Sequence, residues 1–347
     1  MNANALLPRL TFASARLERL ASGASTVHVL ELTASDGTTG SAPLRLSEDT
    51  HHAIRRFGPK LLGRPVFAAA ERWSQFAASL GPHALGPNWA AFSAIENASA
   101  NLCASALGVP LYELLGGHAR RRIAVAISLT CRPGNIEPLI ARARHLLSLG
   151  VEAILVRTNR LDWRAAVLCL GALREVFGPD LRLRLAFLRP LSPDDHERCL
   201  RAVAPLGLEY IQDATVQPRP SDVPRCTRRA IRDWDCVADV LRSPAFPAFS
   251  VSVLGWGGVA GITRMAVAAR VFRREMVLSS DVVDGQEAAL SAQIALALPA
   301  ISLGIELPIG HDDATFSSMC QGIPMPTDPA PSVSAMDLEM ASNQPRE

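Results

Sequence analysis

The chain is poor in lysine. Of its 35 Lys and Arg, Lys60 is the only lysine, so every other cation is an arginine. A mechanism that needs a lysine base or a Schiff-base lysine must use Lys60 or do without. Aromatics are scarce as well, at 5% of 347 residues, with two tyrosines. No CxxC pair occurs among the seven cysteines. They are spread singly and their number is odd, which speaks against a disulfide framework and a structural zinc, and for buried thiols in a cytoplasmic protein. There is no basic start followed by an apolar run, so no signal peptide is expected. No apolar run reaches the length of a membrane span, because Pro299 breaks the longest candidate. The net charge of +2 gives no reason to expect nucleic acid or an acidic membrane as partner. GxGxxG, GxSxG, HExxH and P-loop motifs are also missing.

What is present is 48% hydrophobic residues, enough for a large core. Residues 8–47 alternate as strands, with Asp36-Gly37 as a turn, and helical spacing follows at His51–Leu62, Phe67–Leu80 and Trp89–Leu107. From about Arg122 the rhythm changes. Strands at 123–129, 151–156, 181–188, 208–211, 249–254, 276–279 and 300–305 alternate with helices. Alternating strands and helices mean a parallel sheet, and about 190 residues of them favour a closed barrel. The expected class is α/β: residues 1–120 an α+β cap, 121–320 a barrel, and 321–347 a Pro/Ser-rich tail.

Several segments resemble the enolase superfamily, in its muconate-lactonizing and o-succinylbenzoate-synthase-like branch. They are Ala106–Gly117, Gly178-Pro-Asp180, Leu206–Ile211, Gly261-Ile-Thr263 and Leu278-Ser-Ser280. The resemblance implies an N-terminal capping domain and a modified (β/α)7β TIM-type barrel. It also implies abstraction of a proton beside a carboxylate, with a divalent metal on three acidic ligands. Carried over residue by residue, that machinery is missing. The first acidic ligand falls on Ala186 and the second on Gln212, and the third falls in Arg228–Asp235. The lysine pair falls on Leu155 and Arg157, and the opposing lysine near Leu254-Gly255. Mg²⁺ wants carboxylate oxygens, so no metal cofactor is expected.

A metal-free site at the C-terminal face of the barrel is the expectation instead. Arg157, Asp213, Asp281 and Glu306 are its candidate catalytic groups. Arg157 would neutralise negative charge, and one of the three acids would move the proton. Gln212, Trp256, Ser279, Ser280, Arg160 and Thr130 are candidates for binding substrate, with Arg189 near the same face. His51-His52 in the cap is not read as a metal site, because adjacent helical residues point apart. His196 is expected in solvent, on a helix.

The functional expectation is an isomerase, cycloisomerase or lyase acting on a small carboxylate, in the cytoplasm and as a homo-oligomer. One alternative is a non-catalytic relative that binds a small molecule or serves as a partner subunit. Another keeps a relocated metal on Asp213, Asp233 and Asp235.

Overall fold

The computed structural model describes residues 10–22, 25–45, 47–68, 85–131, 136–158, 163–212, 223–228, 234–280 and 285–308. Most of the expected helix 67–80, together with Arg160, Asp213, Asp233, Asp281 and the tail 321–347, lies outside these residues.

The first element is a three-stranded antiparallel sheet: β1 (Phe12–Ser22), β2 (Ser25–Ala34) and β3 (Thr39–Leu44), in that order. The turn between β2 and β3 forms where expected. The Asp36 carboxylate accepts the Thr38 N–H at 2.9 Å, and Gly37 takes the left-handed φ of +88° that the turn requires. Helix α1 (Glu48–Leu61) begins at Ser47, whose hydroxyl accepts the Thr50 N–H at 3.1 Å. Its exposed Lys60 holds its ammonium 5.3 Å from the centre of the Phe57 ring. The long helix α2 (Leu85–Leu107) lies against β3 so closely that a Cβ on Gly40 would come within 2.1 Å of the Leu102 nitrogen. Phe12, Leu30, Leu32, Ile54, Phe92, Ile95 and Leu102 fill the space between sheet and helices.

A short helix, α3 (Leu111–Leu114), leads to the second body, a closed barrel of eight parallel strands. They are β4 (Val125–Thr130), β5 (Ala153–Thr158), β6 (Arg182–Phe187), β7 (Tyr210–Gln212), β8 (Arg225–Thr227), β9 (Ala248–Val251), β10 (Glu275–Ser279) and β11 (Ile305–Pro308). The helices between them are α4 (Ile136–Ser148), α5 (Trp163–Phe177), α6 (Pro193–Val203), α7 (Trp234–Arg242), α8 (Gly258–Val271) and α9 (Gly285–Ala297). Every ladder is parallel, and β11 closes the ring on β4. Outward residues such as Ile127, Val156, Leu185, Phe249 and Leu278 pack under the helices and make the main core.

Two elements escaped the sequence reading, β8 and α7. The strand is three residues long, too short for any periodicity to show. The third acidic ligand was expected within 228–235, but the fifth strand already ends at Thr227, and Asp235 stands exposed in the first turn of α7. The cysteine reading also needs correction. Cys131, just past β4, is disulfide-bonded to Cys169 of α5. Partners 38 residues apart on different elements leave no spacing signal. Among the described residues, Cys103, Cys199, Cys226 and Cys236 form no disulfide. Burial, and then Asp195, push the Cys199 thiol up to about 12, so it stays protonated.

Candidate functional site

The mouth of the barrel is the C-terminal end of its strands. Thr130, Arg157, Ala186 and Gln212 stand in one hydrogen-bonded row across β4 to β7. Thr130 is exposed, Arg157 half-buried, and Ala186 and Gln212 buried. The Oε1 atom of Gln212 finds no hydrogen-bond partner among the described residues. Arg189 is exposed beyond the end of β6.

On the far side, hydroxyls line the ends of β9 and β10. The Ser250 and Ser279 Oγ atoms are 2.8 Å apart. Ser280 donates to Glu287 Oε2 at 2.6 Å, and Ser252 donates to Glu287 Oε1 at 3.2 Å. Glu287 is fully buried at the start of α9 and was missed by the sequence reading. Its only sequence signal was an acid near the start of an apolar helix, which the helix dipole explains equally well.

Glu306 stands inside the barrel rather than at its rim. Its Oε1 accepts a hydrogen bond from the Tyr210 hydroxyl and faces Arg184 Nη1 at 3.4 Å, while its Oε2 is buried and has no partner among the described residues. Arg184 has no exposed surface. It also bonds Glu209 Oε2 at 2.6 Å and the Leu303 carbonyl at 2.8 Å, with its guanidinium 5.0 Å from the Tyr210 ring centre. Burial opposes the charge on Arg184, and its acidic neighbours Glu306 and Glu209 outweigh that. Burial first, and then the Glu306 carboxylate, push the Tyr210 phenol well above its usual range, so Tyr210 remains a donor. Arg184 and Tyr210 were not singled out in the sequence, because buried charges are not visible in a strand pattern.

The cap reaches this mouth through α2. Ser93 Oγ accepts the N–H groups of Gly257 and Gly258 at 2.9 and 3.1 Å. Asn97 bridges the Val253 carbonyl and the Val259 N–H at 3.1 and 2.9 Å. Trp89 of α2 packs on Trp234 of α7 and on half-buried Trp256, with ring centres 6.3 and 6.4 Å apart. Trp256 therefore joins cap to barrel. Gly258 has φ +60°, and a Cβ there would lie 2.5 Å from Asn97 Oδ1 and 2.8 Å from the Ser93 carbonyl oxygen. Gly258→Ala should cost about 2–3 kcal/mol in urea unfolding, from left-handed strain plus the clash. A loss below about 0.5 kcal/mol would mean that the joint yields.

His196 is half-buried on α6, not solvated as expected. Burial and then Arg225 lower its pKa. His51 and His52 lie side by side on α1, and among the described residues no group of three His, Cys, Asp or Glu could hold a metal ion.

The donor set can be tested against the divalent metal of the resembled family. A methyl group at Ala186 and an amide at Gln212 occupy two of the three ligand positions. The fifth strand offers Cys226 and Thr227 at its end, followed by the cation Arg228. A hard divalent ion requires several anionic oxygens, so these residues do not fit it.

An eight-stranded parallel barrel with an antiparallel cap docked at its mouth defines a class, and comparison with known proteins agrees. Residues 139–329 match the Enolase C-terminal domain-like family, and the chain belongs to it. Within that superfamily it falls in the mandelate racemase/muconate lactonizing branch. It is 23% identical over 261 residues to the L-Ala-D/L-Glu epimerase of Bacillus subtilis, covering 70% of this chain and 66% of that one. It is 28% identical over 197 residues to the L-Lys-D/L-Arg epimerase of Methylococcus capsulatus, covering 52% of each. The chain thus spans between half and two thirds of these two relatives. Among solved structures, a mandelate racemase/muconate lactonizing protein from Paracoccus denitrificans complexed with magnesium superposes with TM-score 0.77. It is 21% identical, with 96% of this chain and 92% of that one covered. The 3,6-anhydro-D-galactonate cycloisomerase of Zobellia galactanivorans gives TM-score 0.76 at 17% identity, covering 87% and 88%. Among the described residues no helix is long and apolar enough to cross a membrane.

Proposed function

We propose that the protein is an isomerase or lyase acting on a small carboxylate without a divalent metal, in the cytoplasm and as a homo-oligomer. The observation that carries this reading is the row Arg157–Ala186–Gln212, which offers a guanidinium, a methyl and an amide where the family places a lysine and two acids. The names of the relatives, epimerases and a cycloisomerase, favour chemistry that moves a proton beside a carboxylate. In this reading Arg157 binds the carboxylate through its fork and offsets the charge that develops on it. It cannot be the base, because guanidinium stays protonated. The proton is taken by Asp213 or Asp281, whereas Glu306, expected in that role, is held inside the barrel by Tyr210 and Arg184. Return to the other face gives an epimer, and loss of a leaving group beside it gives a lyase product. Gln212, Ser279, Ser280, Trp256, Thr130 and Arg160 would shape the pocket.

The test is uptake of solvent deuterium into a panel of small carboxylates, before and after exhaustive chelation. Exchange should survive chelation within about twofold, a difference of about 0.4 kcal/mol in barrel chemistry that needs no ion. Loss on chelation with recovery on adding Mg²⁺ would overturn the metal-free mechanism.

A second reading, a binding or partner subunit, is favoured by Leu155 and Leu254, apolar and buried where the resemblance places lysines. Calorimetric binding of a carboxylate with no deuterium exchange in any member of the panel would decide for it.

A further inference from the structure

The barrel interior is built in layers, four side chains from alternate strands in each. With a stagger of about one residue per strand, the ladder register puts Leu155, Gln212, Ser250 and Glu306 in one layer, from β5, β7, β9 and β11. The layer above it includes Ser128, Ala186 and Ser279. The layer below it is Ala126, Arg184, Cys226 and Val277. Three of the four residues in the middle layer thus carry oxygen: an amide, a hydroxyl and a carboxylate. Gln212 and Glu306 are 4% and 1% exposed, and each leaves one oxygen without a hydrogen-bond partner among the described residues. A buried acceptor left unmet is costly, and one on an ionised group more so.

The charge around this layer is also uneven. Arg184 faces two carboxylates, Glu306 and Glu209, and Tyr210 adds a neutral donor. One carboxylate and several neutral oxygens make a weak field. Such a set suits a large cation of single charge, whereas a divalent ion wants more anionic ligands and tighter geometry. Above the layer, Ser128, Ala186 and Ser279 are small and buried, and two of them carry hydroxyls.

We propose that this layer binds a monovalent cation of the Na⁺ or K⁺ class, through Gln212 Oε1, Glu306 Oε2 and the Ser250 hydroxyl. Of these three, only Gln212 stands at one of the family's ligand positions. The cation would fix the Glu306 carboxylate in place without taking part in any bond change. The inference goes beyond the proposed reaction and needs no substrate, so it stands or falls separately from it.

The experiment is thermal unfolding of the purified full chain, without substrate, in NaCl, KCl, RbCl and choline chloride at equal ionic strength. At tenfold excess over its Kd, a bound cation should raise Tm by roughly 2–4 °C over choline, with saturation. Gln212→Leu should abolish the difference between salts. Because Gln212→Leu could fail to fold, Ser250→Ala is the second variant, and it should shift the midpoint of the salt titration severalfold. Crystals soaked in RbCl should show an anomalous peak between Gln212 and Glu306. Identical Tm in all four salts, or density there with no rubidium signal, would mean water alone and would overturn the proposal.

Discussion

Arg184→Leu should cost about 3–5 kcal/mol of stability, the usual range for removing one partner of a buried ion pair. The reason lies in what remains. Glu306 would keep one orphaned oxygen and lose its cation, in a space where it has 1% exposure. Glu209 is partly exposed and can recover water, so its share of the loss is small. Two further contacts go with the guanidinium, the bond to the Leu303 carbonyl and the stacking on Tyr210. The control is a double-mutant cycle with Glu306→Leu, followed by urea unfolding. The double variant should be more stable than Arg184→Leu alone, because it leaves no charge to compensate. A single-variant loss under about 1 kcal/mol would show that water reaches the carboxylate and that the interior is not dry.

The second large effect is catalytic. Arg157→Ala should lower kcat/KM for the carboxylate identified by deuterium exchange by about 10²- to 10³-fold, the scale set by removing one donor to a developing oxyanion. Arg157→Lys keeps the charge and loses the planar fork, so it should fall in between. The backbone of Arg157 is held from both sides by the ladder, by Thr130 and Ala186, and its carbonyl accepts the Cys131 N–H. The Ala variant should therefore keep its strand pairing and its fold, checked by circular dichroism. Unchanged turnover in Arg157→Ala would remove Arg157 from the mechanism.

The architecture was legible because it depends on repetition. Apolar strands such as Ala153–Thr158 and Arg182–Phe187 recur between helices with glycine stops, and no single residue has to be right for that rhythm to be seen. The short strand Arg225–Thr227 breaks it and was lost. The candidate site was legible only as a set of positions. Ala186 and Gln212 could be placed on neighbouring strands in one register, and the ladder pairs them. What their neighbours do could not be read. Glu306 was expected open at the rim, but it is 1% exposed and held by Tyr210 and Arg184, partners on other strands. Glu287 and Arg184 owe their importance to partners 35 and 122 residues away, Ser252 and Glu306, and no local pattern carries such a distance. The Cys131–Cys169 pair was invisible for the same reason.

Lys60 has a practical consequence. Its exposed ammonium, resting on Phe57 at the end of α1, is the chain's single side-chain target for amine-directed reagents. A dye or cross-linker of that class, the α-amino group aside, attaches to the cap and leaves the barrel mouth bare. A fluorophore placed there would report motion of the cap against the barrel, and a cross-linker would join copies of the protein only where two caps meet.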